Sequence, residues 1–314
     1  MKVLWLHARL ALAIALLFAL VYGLLVVIAY LAGYAQPVVM GVLALFIVLL
    51  QYLASPKIIE VTMRVKYIHR EDMPELYGMV ERLAEKAGIP MPRVGIAQVD
   101  VPNAFAFGRS VRDGRVCVTR GLLNVLNDEE LEAVLGHELS HLRHRDMVVL
   151  ATLSVIPLIS YFIFWSFLWS RRRGDATLIA LAAFGVYILS NFLVLYVSRI
   201  REYYADFGSA ELTGKPHALA SALYRITAAT TSLPRERVRQ VEGMKAFFAT
   251  DPSRARADIS DVTKADLNMD GHLDEYEVRV FASRAQPSRS DKIMELFSSH
   301  PNVVERIKRL AGVP

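Results

Sequence analysis

Apolar residues follow two rhythms along this chain. In four stretches they run almost unbroken. Between and after those stretches they recur at helical or alternating spacing. Leu10 to Tyr34 is interrupted only by glycine and tyrosine. That length can cross about 30 Å of hydrocarbon. A cleaved signal peptide would be shorter, and a second apolar run, Pro37 to Leu53, follows at once. Met147 to Ser170, with Pro157 near its middle, and Ala176 to Ser198 form a second pair. The pattern predicts four transmembrane helices arranged as two hairpins.

The intervening segments alternate polar and apolar positions. Pro74 to Ala87 reads as an amphipathic helix ended by Gly88 and Pro90. Arg93 to Val99, Pro102 to Gly108 and Gly114 to Thr119 read as extended segments, with a turn at Arg112-Asp113-Gly114-Arg115. Asp128-Glu129-Glu130 opens the next helix, with Asp128 as N-cap and the acids suiting the positive helix end. Lys215 to Thr227 predicts a helix with Pro216 in its first turn, and Arg235 to Phe248 and Val303 to Ala311 predict further helices.

Composition sharpens this picture. Apolar residues make up 54 % of 314, and the net charge is +5. The mean hydropathy of +0.33 reflects the membrane-length runs. Lys2, His7 and Arg9 precede the first hairpin, and Lys57, Arg64, Lys66 and Arg70 follow the second run. Positive flanks favour the cytoplasmic side, which places residues 57–146 there. Full crossing by the second hairpin then sends Arg171-Arg172-Arg173 outward, against that bias; a hairpin that dips without crossing is the alternative. No nucleic-acid-binding module is evident. The single cysteine, Cys117, excludes an intrachain disulfide and suits a buried strand position.

The chemistry centres on His137-Glu138-Leu139-Ser140-His141. Histidines four apart on a helix lie on one face, where two imidazoles can hold zinc and Glu138 can take a proton from water. The plainer reading is a surface helix with two ordinary histidines. A catalytic zinc needs a third ligand, and Glu202 is the candidate, because the second hairpin returns the chain to the same face. Asp206, one turn on, could fix a ligand histidine's tautomer. Both acids could instead pair with Arg199 or Arg201 on a solvated face. His144 reads as a surface residue, Asp146 as a cap for the next helix, and His300-Pro301 as a turn.

Taken together, these residues resemble a known family, the membrane zinc metallopeptidases that include HtpX and the CAAX prenyl proteases, with HtpX the closer match. The resemblance rests on Asn103-Ala104-Phe105-Ala106, Glu132 to His141, Arg201 to Asp206, and His300-Pro301 with Glu305-Arg306-Ile307. It implies a mainly α membrane protein carrying an α+β gluzincin-type metalloprotease domain with a small sheet and an edge strand. It implies zinc at His137, His141 and Glu202, with Glu138 as general base and then acid. It implies that Asp206 and Arg306 support the site, that His300 stabilises an oxyanion, and that Asn103, Ala104, Phe105 and Ala106 lie beside the substrate. Phe107 stands where that family usually has a small or hydroxyl residue.

Residues 266–277 are no part of that resemblance. Asp266, Asn268, Asp270, His272, Asp274 and Glu277 occupy the ligand positions of an EF-hand calcium loop, with Gly271 at its sharp turn. The expected organisation is a first hairpin over 1–56, a catalytic part over 57–146, a second hairpin over 147–198, and a second catalytic part over 199–250. An inserted calcium-loop segment over 251–290 and a closing catalytic part over 291–314 complete it. The expected function is a multi-pass cell-membrane endopeptidase facing the cytoplasm, using Zn2+ with Ca2+ as a second candidate ion. Its partners would be polypeptide substrates and the lipid bilayer, in protein quality control. The rivals are a CAAX-type processing protease, which usually needs about seven spans, and a non-proteolytic membrane chaperone or calcium-responsive scaffold.

Overall fold

The computed structural model describes residues 37–168, 175–241, 255, 259, 262–285 and 294–313. The chain divides into two compact units, Met1–Ile58 with Val148–Val194, and Ile59–Met147 with Leu195–Pro314. Among the described residues, three helices are long and apolar enough to cross a membrane: Leu45–Thr62, Asp146–Leu168 and Thr177–Thr213. The expected span from Leu10 to Tyr34 and the triple arginine lie outside the described residues.

The first of these belongs to helix α1 (Pro37–Thr62). The second is broken into α5 (Asp146–Leu153) and α6 (Val155–Leu168). Pro157 accounts for the break: it has no N–H for the Leu153 carbonyl one turn back. The third is part of α7, a single helix of 39 residues, Asp175–Thr213. The sequence turns polar after Ser198, and the helix runs on through it as expected, with no proline in residues 199–213 to break it. Leu178, Leu181 and Leu189 on α7 stay at least 60 % exposed. Leaving such side chains in water would forfeit about 1.5–3 kcal/mol each, so a lipid surround suits them.

The second unit is built on a four-stranded sheet of order β1-β2-β4-β3, from β1 (Val65–Tyr67), β2 (Arg93–Ala97), β3 (Ala104–Phe107) and β4 (Arg115–Thr119). β2 and β4 run parallel, while β1 and β3 pair antiparallel at the two edges. All five residues of β4 are buried, as befits a strand covered on both faces. Alternation then divides the core. Val116, Val118 and Ala104 face the larger cluster, while Cys117, Phe105 and Phe107 face a smaller one with Met63.

The larger cluster is made by helices. In α2 (Pro74–Ala87), Leu76, Met79, Val80, Leu83 and Ala87 form one buried stripe. α4 (Asp128–Arg143) packs beside it and follows a short α3 (Arg120–Leu123). α8 (Pro216–Ser232), α10 (Glu275–Arg284) and α11 (Val303–Leu310) complete the cluster, and a short α9 (Arg235–Val241) follows α8. The N-cap of α4 is Asn127, one residue before the expected Asp128. Its side chain accepts the Glu130 amide while Glu130 accepts the Asn127 amide, a reciprocal box that Asp128 could not form.

Two small residues bring α4 against α7. A Cβ on Gly208 would lie 2.1 Å from Ser140 Oγ and 2.7 Å from Ser140 Cβ. A Cβ on Gly136 would touch Ser209 and Thr213 at 3.4 Å. Ser209 Oγ donates to the Ala133 carbonyl at 2.6 Å, which pins the crossing. Gly208→Leu should therefore cost about 1–3 kcal/mol of stability by overpacking. It should also lower the metal content of the purified protein, because the two helices bear the acidic and imidazole groups described next. Thermal unfolding with metal analysis checks this; wild-type values for both would show that the crossing tolerates a side chain.

Candidate metal centre

Helix α4 presents His137 and His141 one turn apart, and α7 presents Glu202 opposite them. The two Nε2 atoms are 3.1 Å apart. His137 Nε2 lies 3.6 Å from Glu202 Oε2, and His141 Nε2 lies 3.6 Å from Glu202 Oε1. One ligand atom from each residue falls within 4.8 Å of the others. Glu202 Oε2 is buried and accepts no hydrogen bond, a cost that a bound cation would remove. Two imidazoles and a carboxylate are a donor set that zinc accepts. Glu138, beside the first histidine, is 4 % exposed.

The far side of each imidazole is held by an acid. His137 Nδ1 lies 3.0 Å from Asp206 Oδ1, and His141 Nδ1 lies 2.6 Å from Asp146 Oδ2. A carboxylate only accepts, so each Nδ1 is the N–H and each Nε2 lone pair is left for the site. Arg306, on α11 and 1 % exposed, donates to both Asp206 oxygens at 2.6 and 2.9 Å. Its third nitrogen lies 3.5 Å from Glu202 Oε2.

The charges favour a cation. Burial opposes the protonated form of His137, yet the adjoining carboxylates of Asp206 and Glu202 outweigh it and raise its pKa to about 9. Burial and the neighbouring His137 charge push His141 the other way. Burial also opposes the Arg306 charge, but Asp206, Glu202 and Glu138 hold it firmly ionised. The acids around His137 thus favour positive charge at this point, which a cation on its Nε2 would supply.

Asp146 had read only as a cap. It reaches His141 because Arg145 takes a left-handed backbone (φ 57°), which turns the chain back at the end of α4. Arg201 donates to Asp146 and, at 2.9 Å, to the His144 carbonyl. Arg199 donates to the carbonyls of Glu295 and Ser298 at 2.9 and 2.8 Å. Neither arginine pairs with Glu202 or Asp206. The only local signal for Asp146 is an acid closing the basic stretch Arg143-His144-Arg145. His144 is exposed and bonds its own helix at the Ser140 carbonyl, away from the cluster.

His300 is brought to the cluster through the segment that Arg199 holds. Its Nδ1 is 3.5 Å from Glu202 Oε1, and neither ring nitrogen makes a hydrogen bond although both are buried. Asn103 is buried at the entry to β3, its amide donating to Thr119 Oγ1 at 2.9 Å. Ala104 and Ala106 face the α4 side, whereas Phe105 and Phe107 stack on the opposite face with ring centres 5.7 Å apart. Phe107 is therefore a core residue of the smaller cluster. Among the described residues, β3 has no neighbour on its outer edge. Asp266, Asn268, Asp270, His272, Asp274 and Glu277 gather elsewhere, against α8 and the start of α4.

A His-His-Glu group beside a buried carboxylate, in a chain with membrane-length helices, defines a membrane metallopeptidase. Residues 71–313 match the model of peptidase family M48. The chain belongs to that family, and within it is HtpX-like. It is 52 % identical over 221 residues to a protease HtpX homolog of Methanothermobacter thermautotrophicus, covering 70 % of this chain and 85 % of that one. It is 36 % identical over 309 residues to the Pyrococcus furiosus homolog, covering 95 % and 94 %. The crystal structure of S. mikatae Ste24p shares the fold at a TM-score of 0.56 and 17 % identity, over 99 % of this chain and 67 % of that one.

Removing the acid behind a ligand histidine frees its ring and lowers its basicity. Asp146→Ala is expected to weaken zinc binding about 10–100-fold. Competition with a chelator of known affinity measures this; unchanged affinity would show that Asp146 serves only Arg201.

Proposed function

We propose that this chain is a zinc endopeptidase that cleaves misfolded or membrane proteins at the cytoplasmic face of the cell membrane. The observation that carries the reading is the meeting of His137, His141 and Glu202 beside the buried Glu138. Zinc held by the two Nε2 atoms and a Glu202 oxygen supplies Lewis acidity that makes water a nucleophile near neutral pH. Glu138 takes the proton from the attacking water and returns it to the leaving amine. His300, whose buried ring nitrogens make no hydrogen bond, donates to the oxyanion that develops on the scissile carbonyl. Asp206 and Asp146 keep the imidazoles in register, and Arg306 holds Asp206 in place.

The outer edge of β3 supports the substrate class. An extended chain can add to it through backbone hydrogen bonds, which ask little of side-chain sequence. Such tolerance suits damaged or misassembled proteins, which share no sequence. The basic flanks of the first apolar pair support the cytoplasmic placement.

Glu138→Gln should abolish cleavage of an unfolded casein substrate while the protein keeps its zinc; near-normal cleavage would remove Glu138 from the mechanism. His300→Phe should lower kcat about 10²–10³-fold with little change in KM. A change confined to KM would make His300 a substrate contact rather than an oxyanion donor.

A further inference from the structure

The polar loop at 266–277 is folded in a way that the peptidase chemistry does not use. Gly271 takes φ 84°, a conformation that L side chains rarely adopt, and closes the loop on itself. Asp266 Oδ2 accepts the Gly271 amide at 3.0 Å and the Tyr224 hydroxyl at 3.1 Å. Asn268 Oδ1 accepts the Asp270 amide at 2.9 Å, and Asp270 Oδ1 accepts the His272 amide at 2.8 Å. Glu277, 3 % exposed, reaches back to the Leu267 and Asn268 amides at 2.8 and 3.2 Å. Each end of the loop is thus brought to the other.

One oxygen stands out. Asp266 Oδ1 is shielded from solvent and meets no donor. Among the described residues, no lysine or arginine pairs with Asp266, Asp270, Asp274 or Glu277; the one arginine on this segment's salt bridges, Arg279, goes to Glu275. Arg225 touches the loop only at His272, at 3.1 Å, so these carboxylates have no ion pair of their own; with one buried unsatisfied oxygen among them, they call for a hard cation. The ligands are all oxygens, at the spacing that calcium takes, and none is a thiolate.

The loop also touches the catalytic helix. The Leu273 amide donates to Ser221 Oγ at 2.9 Å, and Ser221 Oγ donates to Glu130 Oε1 at 2.7 Å. His272 Nδ1 lies 2.9 Å from the same Glu130 oxygen. Glu130 Oε2 accepts the Asn127 amide at 3.0 Å and Arg225 at 3.1 Å. Glu130 lies in the first turn of α4, about two turns before His137. The peptide joining His272 to Leu273 is trans, so its carbonyl points opposite to the N–H that meets Ser221. That carbonyl belongs to the loop's seventh position, the one that supplies a backbone ligand to calcium. A cation on the carbonyl would polarise the N–H and strengthen its bond to Ser221.

We propose that residues 266–277 bind one calcium ion, and that its binding is transmitted through the 272–273 peptide, Ser221 and His272 to Glu130, fixing the start of α4. Calcium then stabilises the helix that bears His137 and His141. The inference stands apart from the proteolytic reading, since neither measurement below uses activity.

The full-length, zinc-loaded protein in detergent is titrated with calcium chloride by calorimetry in the presence of excess magnesium. One site is expected, with Kd of about 10⁻⁷–10⁻⁴ M, and Asp266→Ala should weaken it by at least about 100-fold. Amide exchange at Leu131 to His137 should slow about fivefold or more with calcium. That slowing should vanish in Asp266→Ala, and in Ser221→Ala or His272→Gln whichever retains calcium affinity. No calcium uptake at millimolar concentration, or uptake unaltered in Asp266→Ala, overturns the site. Uptake with no change in exchange at Leu131 to His137 in the wild-type protein overturns the transmission.

Discussion

The buried pair of Asp206 and Arg306 is the interaction on which the centre depends. Arg306 is 1 % exposed and Asp206 3 %, so neither charge is relieved by water. Breaking such a pair from one side typically costs about 3–5 kcal/mol, because the survivor is left uncompensated. The two-pronged contact joins α7 to α11, elements far apart in sequence. Asp206 then hands its second role to His137, orienting the first imidazole, while Arg306 leans toward Glu202. One guanidinium therefore sets the geometry of an acid and a histidine on two other helices. Being dry, the pair is little screened by salt.

A second anchoring line runs through arginines that the sequence presents as surface residues. Arg199 captures the carbonyls of Glu295 and Ser298, which delivers His300 to Glu202. Arg201, two residues on, holds Asp146 against His141. The helical stretch from Arg199 to Asp206 thus bonds outward in three directions, and its polar residues are spent on tertiary contacts. That explains why so charged a segment continues an apolar helix: its charges are answered by the fold.

Much of this is legible in the sequence itself. The apolar runs mark the membrane-length helices, and the stripe from Leu76 to Ala87 marks α2, because both signals are periodic and local. The strand that carries Phe105 was readable from alternation, and its edge position from the family resemblance. Spacing alone left Glu202 and Asp206 balanced between a site and pairing with Arg199 or Arg201; the folded chain sends those arginines elsewhere. The role of Asp146 was illegible, since it depends on one left-handed residue, Arg145, with no glycine or asparagine to announce it. The three consecutive acids from Asp128 mask the reciprocal Asn127–Glu130 box, so spacing alone places the cap one residue late. The continuation of α7 past Ser198 is legible too, because a change in composition alters the solvent of a helix without ending it.

The contact of Ser140 with Gly208 has a consequence for heredity. The second histidine follows Ser140 directly, so the volume allowed at position 140 is set by a residue in another helix, far along the chain. Position 208 cannot enlarge without strain, because a Cβ there already falls inside the serine. A lineage can change this crossing only by shrinking one side before the other grows. The two positions therefore behave as one unit of variation, and the narrowness of that path protects the spacing between α4 and α7.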